Sequence, residues 1–301
     1  MQKIIISILH YNSNRDTLAC LASLMDSNLN GLEIKTYVLD NASRETLDID
    51  VSTYKKIGLS IIKSKINLGF TGGHNLVYKN TKDVSYDFFL LLNNDSIVDS
   101  NLLQEMVKAG HEKKVGAVVP KIYFTKGMEF HKNRYSESDM GKVFWYAGGK
   151  LDWDHVMSIH RGVDEVDVGQ FDKQEEIDFA TGACLLIKKE VLNKIGLFDR
   201  RYFLYYEDAD LSVRIRKADF EIMYCPHAVA WHNNAGSSGS GSELHDYYLT
   251  RNRMLFGIKF APIRTKFALI RESFRLLLSG RRWQRIGIKD YYLKKFGKGS
   301  Y

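Results

Sequence analysis

Residues 88–92 read Phe-Phe-Leu-Leu-Leu, five bulky apolar side chains in a row. A strand with one wet face alternates polar and apolar residues, so an unbroken run fits a strand covered on both faces. The chain before it supplies the covering layers. Lys3 to Leu9 reads as a strand, Asp16 to Asp26 as a helix, Glu33 to Leu39 and Leu59 to Lys63 as strands, and a helix follows from about His74. The order βαββαβ predicts an α/β fold: a mainly parallel, twisted, nucleotide-binding type of sheet flanked by helices. Such sheets bind ligands outside the carboxyl ends of their strands.

With 301 residues, 45% of them hydrophobic, the chain can form one such domain with an appendage. Cys20, Cys184 and Cys225 are far apart with no CxxC pair, which argues against a zinc site and for a reduced cytoplasmic setting. The apolar stretch from Ile4 to Leu9 is too short for a signal-peptide core, and no segment approaches the roughly 20 apolar residues of a membrane span. Charge is unevenly placed. From Lys259 onward twelve Lys or Arg face only Glu272 and Asp290, so 259–301 carries +10 of a chain total of +7 and the rest carries −3. Two parts are expected: a domain over 1–258 and a basic tail over 259–301. Phe267, Leu269, Ile270, Phe274, Leu276, Leu277 and Leu278 give the tail the pattern of amphipathic helices. These suit an anionic membrane surface, placing the protein in the cytoplasm and peripherally on the inner face of the cell membrane. Nucleic acid is not expected as a partner, since no module for it is present.

Three strand ends carry polar residues: His10-Tyr11-Asn12, Asp40-Asn41-Ala42-Ser43 and Asn93-Asn94-Asp95-Ser96. Turn chemistry explains each alone, because Asn, Asp and Ser side chains satisfy nearby backbone groups. A doubly wound sheet brings all three toward one crevice. Between them runs Asn67-Leu68-Gly69-Phe70-Thr71-Gly72-Gly73-His74-Asn75, a glycine-rich entry to a helix whose first N–H groups could meet an anion. It lacks the Gly-x-Gly-x-x-Gly spacing of a dinucleotide site, and the chain has no Walker Gly-Lys-Ser/Thr. Dehydrogenases and P-loop NTPases are thereby demoted.

Tyr11-Asn12, Asp40-Asn41, the Asn67 to Asn75 stretch and Asn93-Asn94-Asp95 together resemble the inverting family-two glycosyltransferases of GT-A fold, most closely the rhamnosyltransferase-like branch. The resemblance runs in order from about Lys3 to about Arg253. It implies donor-binding roles for Tyr11, Asp40, Asn41, Asn67, Gly69, Phe70, Gly73, Asn75, Asn93 and Asn94, with Tyr11 near the nucleobase and Asp40 accepting from a pyrimidine N–H. The triplet stands where the family has its Asp-x-Asp metal motif. Asp95 is then a ligand to Mn²⁺ or Mg²⁺, which prefer oxygen donors and bridge diphosphate oxygens. Asn93 supplies a neutral oxygen in place of the first acid, or touches the ribose, or fixes the loop.

Downstream, Phe179 to Ile187 reads as a small-residue turn entering a buried strand, where Thr181 and Gly182 would let an acceptor sugar or the donor approach, or where Gly182 serves tight packing against a helix. Leu211, Ile215 and Ala218 recur at helical spacing, and Asp208 lies on that inward face. The resemblance makes Asp208 the catalytic base, with Glu207 beside the acceptor, and makes His232 a second metal or diphosphate ligand. Gly236 to Ser242 is Gly/Ser-rich, either a linker or a lid, and an Arg at 251 or 253 is placed to meet the diphosphate. The leading expectation is transfer of a hexosyl or deoxyhexosyl unit, rhamnose from dTDP-rhamnose first and a UDP-hexose second, to a polysaccharide or lipid-linked saccharide. A sugar nucleotidyltransferase would need an N-terminal Gly-rich phosphate loop, absent here. A non-catalytic nucleotide-sugar-binding protein would bind donor without turnover.

Overall fold

The computed structural model describes residues 1–233 and 242–301. The first half contains β1 (Gln2–His10), α1 (Asn14–Met25), β2 (Leu32–Asp40), β3 (Ser60–Lys63), α2 (Gly69–Asn80) and β4 (Phe88–Asn93), the order read from the sequence. Then come β5 (Ser96–Val98), α3 (Leu102–Gly110), β6 (Val115–Phe124) and β7 (Phe144–Tyr146). A separate hairpin of β8 (Gly149–Asp152) and β9 (Met157–His160) precedes β10 (Glu175–Ile177), β11 (Cys184–Lys188), α4 (Lys189–Ile195), α5 (Glu207–Lys217) and β12 (Glu221–His232). The chain finishes with α6 (Glu243–Phe260), α7 (Ile263–Ser279) and α8 (Arg282–Tyr292).

The main sheet runs β10-β12-β6-β11-β4-β1-β2-β3, with β5 added to β12 and β7 to β6. β4 sits in its middle, and all five side chains of the Phe88 to Leu92 run are buried. Its neighbour β1 is parallel, as are β2 and β3, and the register sets His10 beside Asp40 and Leu9 beside Asn93. The three polar strand ends therefore finish level, as a doubly wound sheet requires. On its other side β4 meets β11, which is antiparallel to both β4 and β6. This interruption of a mainly parallel sheet has a functional result: the turn before β11 arrives at the crevice, where the Asn93 N–H donates to the Ala183 carbonyl at 2.8 Å.

α2 begins at Gly69, five residues earlier than the glycine pattern suggested. The stretch is helical because its glycines serve packing. A Cβ on Gly73 would lie 2.7 Å from Leu9 Cδ2 and 3.1 Å from Leu39 Cδ2, so a bare backbone lets α2 sit close on β1 and β2. Gly69 has φ +68°, and a Cβ there would fall 2.4 Å from the Phe203 carbonyl oxygen. That same oxygen accepts from Phe70 N at 2.9 Å and Thr71 N at 3.4 Å. The first amides of α2 are thus occupied by the protein itself, which corrects the expectation that they cradle an anion.

The C-terminal helices form where the basic pattern placed them, but the boundary at 258/259 falls inside α6. The segment is woven into the body. Lys259 Nζ bonds Asp210 and Asp199, Tyr248 Oη donates to the Lys298 carbonyl at 3.0 Å, and Ser300 N donates to Asp290 Oδ2 at 2.9 Å. Arg251, fully buried, reaches Asn252 Oδ1 at 3.0 Å and Tyr247 Oη at 3.3 Å. Arg253 pairs with Glu272 and with the His155 carbonyl. Arg251 is thus a buried structural tie, and Arg253 spends its Nε and Nη1 on protein partners. The Gly236 to Ser242 stretch lies outside the described residues except for Ser242, whose side chain caps α6 by accepting from His245 N.

Gly69→Ala should lower stability by about 3 kcal/mol, combining left-handed backbone strain with overpacking against Phe203. A urea unfolding midpoint unchanged from the parent would contradict this account of α2.

Candidate active site

The crevice is built from four chain segments that reach the same end of the sheet. From β2, Asp40 is buried and its Oδ1 accepts from Ser43 N at 2.9 Å. From β1, Tyr11 is 48% exposed, leaving its ring open to a ligand. Asn41 and Asn67 serve the wall behind them: Asn41 Oδ1 accepts from Leu68 N at 2.8 Å, and Asn67 Oδ1 accepts from Gly69 N at 2.8 Å and from Asn41 Nδ2 at 3.2 Å. Asn75 faces away from the crevice chemistry, because its amide clamps Phe198 through both Oδ1 (3.1 Å from N) and Nδ2 (3.0 Å to O). Phe70 packs against His74 and Phe198 and lies where a Cβ on Gly182 would meet its Cζ at 3.0 Å. It therefore links the first half of the crevice to the second.

β4 and β12 bring the triplet and His232 together. β12 pairs antiparallel with β5, setting His232 opposite Ser96. His232 Nε2 lies 3.1 Å from Asp95 Oδ1 and 3.2 Å from Asn93 Nδ2. Among the described residues His232 Nδ1 is buried with no hydrogen bond, and the buried Asp95 Oδ1 has only the 3.1 Å contact with His232. Such atoms are costly to bury without a partner. Among the described residues no cluster of three or more His, Cys, Asp or Glu side chains could hold a metal. One carboxylate and one imidazole still fit a hard divalent cation completed by diphosphate oxygens and water, which is how Mg²⁺ is commonly held. Asn94 is engaged elsewhere, donating to Thr17 Oγ1 at 3.0 Å.

The other side of the crevice holds the acids of α5. The helix opens after two consecutive residues in the left-handed region, Tyr205 at φ +70° and Tyr206 at φ +71°. Each such non-glycine residue costs of order 1–3 kcal/mol and persists only where surroundings enforce it. Asn252 of α6 is the enforcer, its Nδ2 donating to the carbonyls of Leu204 at 2.8 Å and Tyr205 at 2.9 Å. Tyr206 Oη is fixed by the Val156 carbonyl at 2.8 Å. Asp208 then receives the Gly182 N–H at 3.3 Å and the Ala209 N–H at 2.8 Å. Burial still pushes its carboxyl up to about 6, outweighing those two amides. Glu207 is buried, its Oε2 without a hydrogen bond among the described residues, and burial plus the neighbouring Asp208 charge hold its carboxyl well above the usual range. Thr181, also buried, accepts from Ala183 N at 3.3 Å and shapes the turn.

Three contributors escaped the sequence reading. Asn252 is one. Trp145 lies over His232, ring centroids 4.5 Å apart, and touches His160 at 4.6 Å. His160 is held neutral by burial, its ring pushed down to about 4. The Phe144-Trp145-Tyr146 run was the available signal, an aromatic cluster within an otherwise polar segment. A cavity of about 530 Å³ lies elsewhere, lined by Lys150, Arg161, Glu175, Asp178 and Arg216 among others. In it Arg161 pairs with Glu175 and Arg216 with Asp178, and it contains none of the residues above.

A mixed sheet that brings asparagines, acids, a carboxylate–imidazole pair and a buried aspartate to one crevice is the arrangement of a glycosyltransferase of GT-A type. The fold agrees with solved enzymes of that class. GalNAc-T7 with UDP, GalNAc and Mn²⁺ superposes with TM-score 0.68 at 12% identity, covering 97% of this chain and 55% of the other. A Pyrobaculum calidifontis mannosyltransferase, in complex with GDP-Man and Mn²⁺, gives TM-score 0.55 at 13% identity, covering 97% and 74%. A family description, glycosyltransferase like family 2, matches residues 2–255, and the chain belongs to that family. Among its relatives, the Mycobacterium tuberculosis N-acetylglucosaminyl-diphospho-decaprenol L-rhamnosyltransferase is 36% identical over 72 residues, 24% of each chain. Rhamnosyltransferase WbbL of Escherichia coli is 22% identical, over 80% of this chain and 92% of its own. The Haloferax volcanii hexosyltransferase Agl10 is 22% identical, over 64% and 58%. The chain thus matches only about a quarter of the first of these relatives and over half of the last.

The Asp208 carboxyl should titrate with a midpoint near 6 in the free protein, read from its ¹³C chemical shift. A midpoint in the ordinary aspartate range, near 4, would contradict the burial described.

Proposed function

We propose that the protein is an inverting glycosyltransferase using a pyrimidine nucleotide sugar, with rhamnose from dTDP-rhamnose the first candidate and a UDP-hexose the second. The acceptor is a polysaccharide or lipid-linked saccharide. One observation carries the reading: consecutive residues of one turn join the two chemical halves. Ala183 O accepts from Asn93 N, at the triplet that leads to Asp95, while Gly182 N donates to Asp208. This linkage supports a reading in which the carboxylate–imidazole pair and the base serve one reacting position. The names of the relatives support the rhamnosyl choice, since two are rhamnosyltransferases and one of these acts on a lipid-linked saccharide. Membrane attachment through 259–301 is part of this reading. Among the described residues no helix is long and apolar enough to cross a membrane.

In the forward step the acceptor oxygen bonds the anomeric carbon as the bond from that carbon to the diphosphate oxygen breaks on the opposite face. Asp208 takes the acceptor proton, and one carboxylate suffices because no covalent intermediate forms. Glu207, whose carboxyl burial and the Asp208 charge push toward the neutral form, would lie beside the acceptor. Tyr11 would stack on the nucleobase and Asp40 accept from its ring N–H. Asp95 and His232 would hold a divalent cation, which when bound would supply positive charge to the diphosphate. Trp145 keeps the His232 ring in place.

Asp208→Asn should lower transfer by about 10²–10⁴-fold while leaving donor affinity intact, measured by nucleoside diphosphate release and by calorimetry. Full activity in this variant would remove the base assignment. In the parent enzyme kcat/KM should fall about tenfold per pH unit below about 6, where Asp208 is protonated, and level off above it.

A panel of nucleotide sugars with and without Mn²⁺, scored by released nucleoside diphosphate, tests donor and metal together. Asp95→Ala and His232→Ala should each weaken Mn²⁺-dependent donor binding, and unaffected titrations in both would refute the cation site.

A further inference from the structure

We infer that the outer face of α7 is the surface that lies on an anionic lipid bilayer and that it fixes how the catalytic crevice is presented to it. The inference rests on the membrane reading above and assigns it to particular residues. Ile263, Phe267, Ile270, Phe274 and Leu278 are between 36% and 85% exposed. At 100° per residue they fall within an arc of roughly 80°, so they form one continuous ridge along the helix. Phe274 stacks on Tyr292 with ring centroids 6.3 Å apart, and Tyr292 and Leu293 are themselves exposed, extending the ridge onto α8. An exposed apolar face of this extent on a soluble domain marks an interaction surface.

Charge decides what covers it. Arg264, Arg271 and Arg275 flank the ridge and are exposed. The two acids of the segment are both turned inward: Glu272 pairs with Arg253 of α6 at 3.0 Å, and Asp290 is buried against Tyr247 and Ser300. Solvent at this face therefore meets cations and hydrocarbon together, the combination that an in-plane helix uses on anionic lipid. A second copy of the chain would present the same cations and repel.

The face is coupled rigidly to the chemistry. Arg253 bonds both carboxylate oxygens of Glu272 at 3.0 Å, tying α7 to α6. The adjacent Asn252 holds the Leu204 and Tyr205 carbonyls that set the strained turn before Asp208. Adsorption through α7 would thus hold the base at a fixed height above the lipid headgroups, suited to an acceptor anchored in that plane.

The test uses the full chain and co-sedimentation with vesicles of phosphatidylcholine alone or mixed with phosphatidylglycerol. The parent should partition to the mixed vesicles, less so at high salt. The variant Phe267→Glu/Phe274→Glu/Leu278→Glu should lose about tenfold or more of that partitioning, its surface positions leaving the unfolding midpoint unchanged. Arg264→Gln/Arg271→Gln/Arg275→Gln should lose the preference for anionic lipid. Asp208→Asn should bind vesicles as the parent does, which separates this inference from the catalytic assignment. Absence of parental binding, or equal binding by the triple glutamate variant, overturns it. So does a lipid-free dimer that the triple glutamate variant abolishes, since that would make a second copy the occupant.

Discussion

One backbone hydrogen bond, from Asn93 N–H to the Ala183 carbonyl, carries more of this architecture than any side-chain contact. It closes the end of the pairing between β4 and the antiparallel β11, and the Thr181–Ala183 turn that bonds Asp208 follows from it. Were β11 parallel, the Thr181–Ala183 turn would emerge at the opposite end of the sheet, and Asp208 would have no Gly182 amide. The buried apolar run of β4 keeps the bond at the end of a central strand shielded on both faces.

Against that rigid frame the turn before α5 stores strain. Tyr205 and Tyr206 hold conformations that glycine would adopt freely, and Asn252 and the Val156 carbonyl maintain them. The effect is to start α5 with Glu207 and Asp208 facing inward, where burial raises both carboxyls. Stability is given up locally to hold two acids inward with raised carboxyls, with Asn252 of α6 and the Val156 carbonyl supplying the restraint.

The order of strands and helices was legible because hydrophobic runs and their spacing report burial directly. The polar strand ends were legible as a set, since a parallel register levels them. What was hidden depended on contacts distant in sequence. The glycines of the 69–73 stretch looked like a ligand loop, whereas their space is taken by Phe203, Leu9 and Leu39. Asn75 looked like a donor ligand, but its amide is consumed by Phe198, 123 positions away. Arg251 looked like a diphosphate ligand and is a buried tie between α6 and the C-terminal segment. Asn252, Trp145 and His160 carry no motif, and only three-dimensional proximity reveals them. The tail was rightly read as helical and basic, yet its inner face could not be told from its outer one until Glu272 and Asp290 were seen pointing in.

That arrangement of two acids means that net charge understates how polarised the molecule is. A body of −3 joined to a segment of +10 makes a permanent electric dipole, and internal pairing of the segment's only negative groups sharpens it. In the field of a charged surface such a body experiences a torque as well as an attraction, acting over about a Debye length, roughly 8 Å at physiological salt. The protein would be turned before it touches, arriving with its cationic side first.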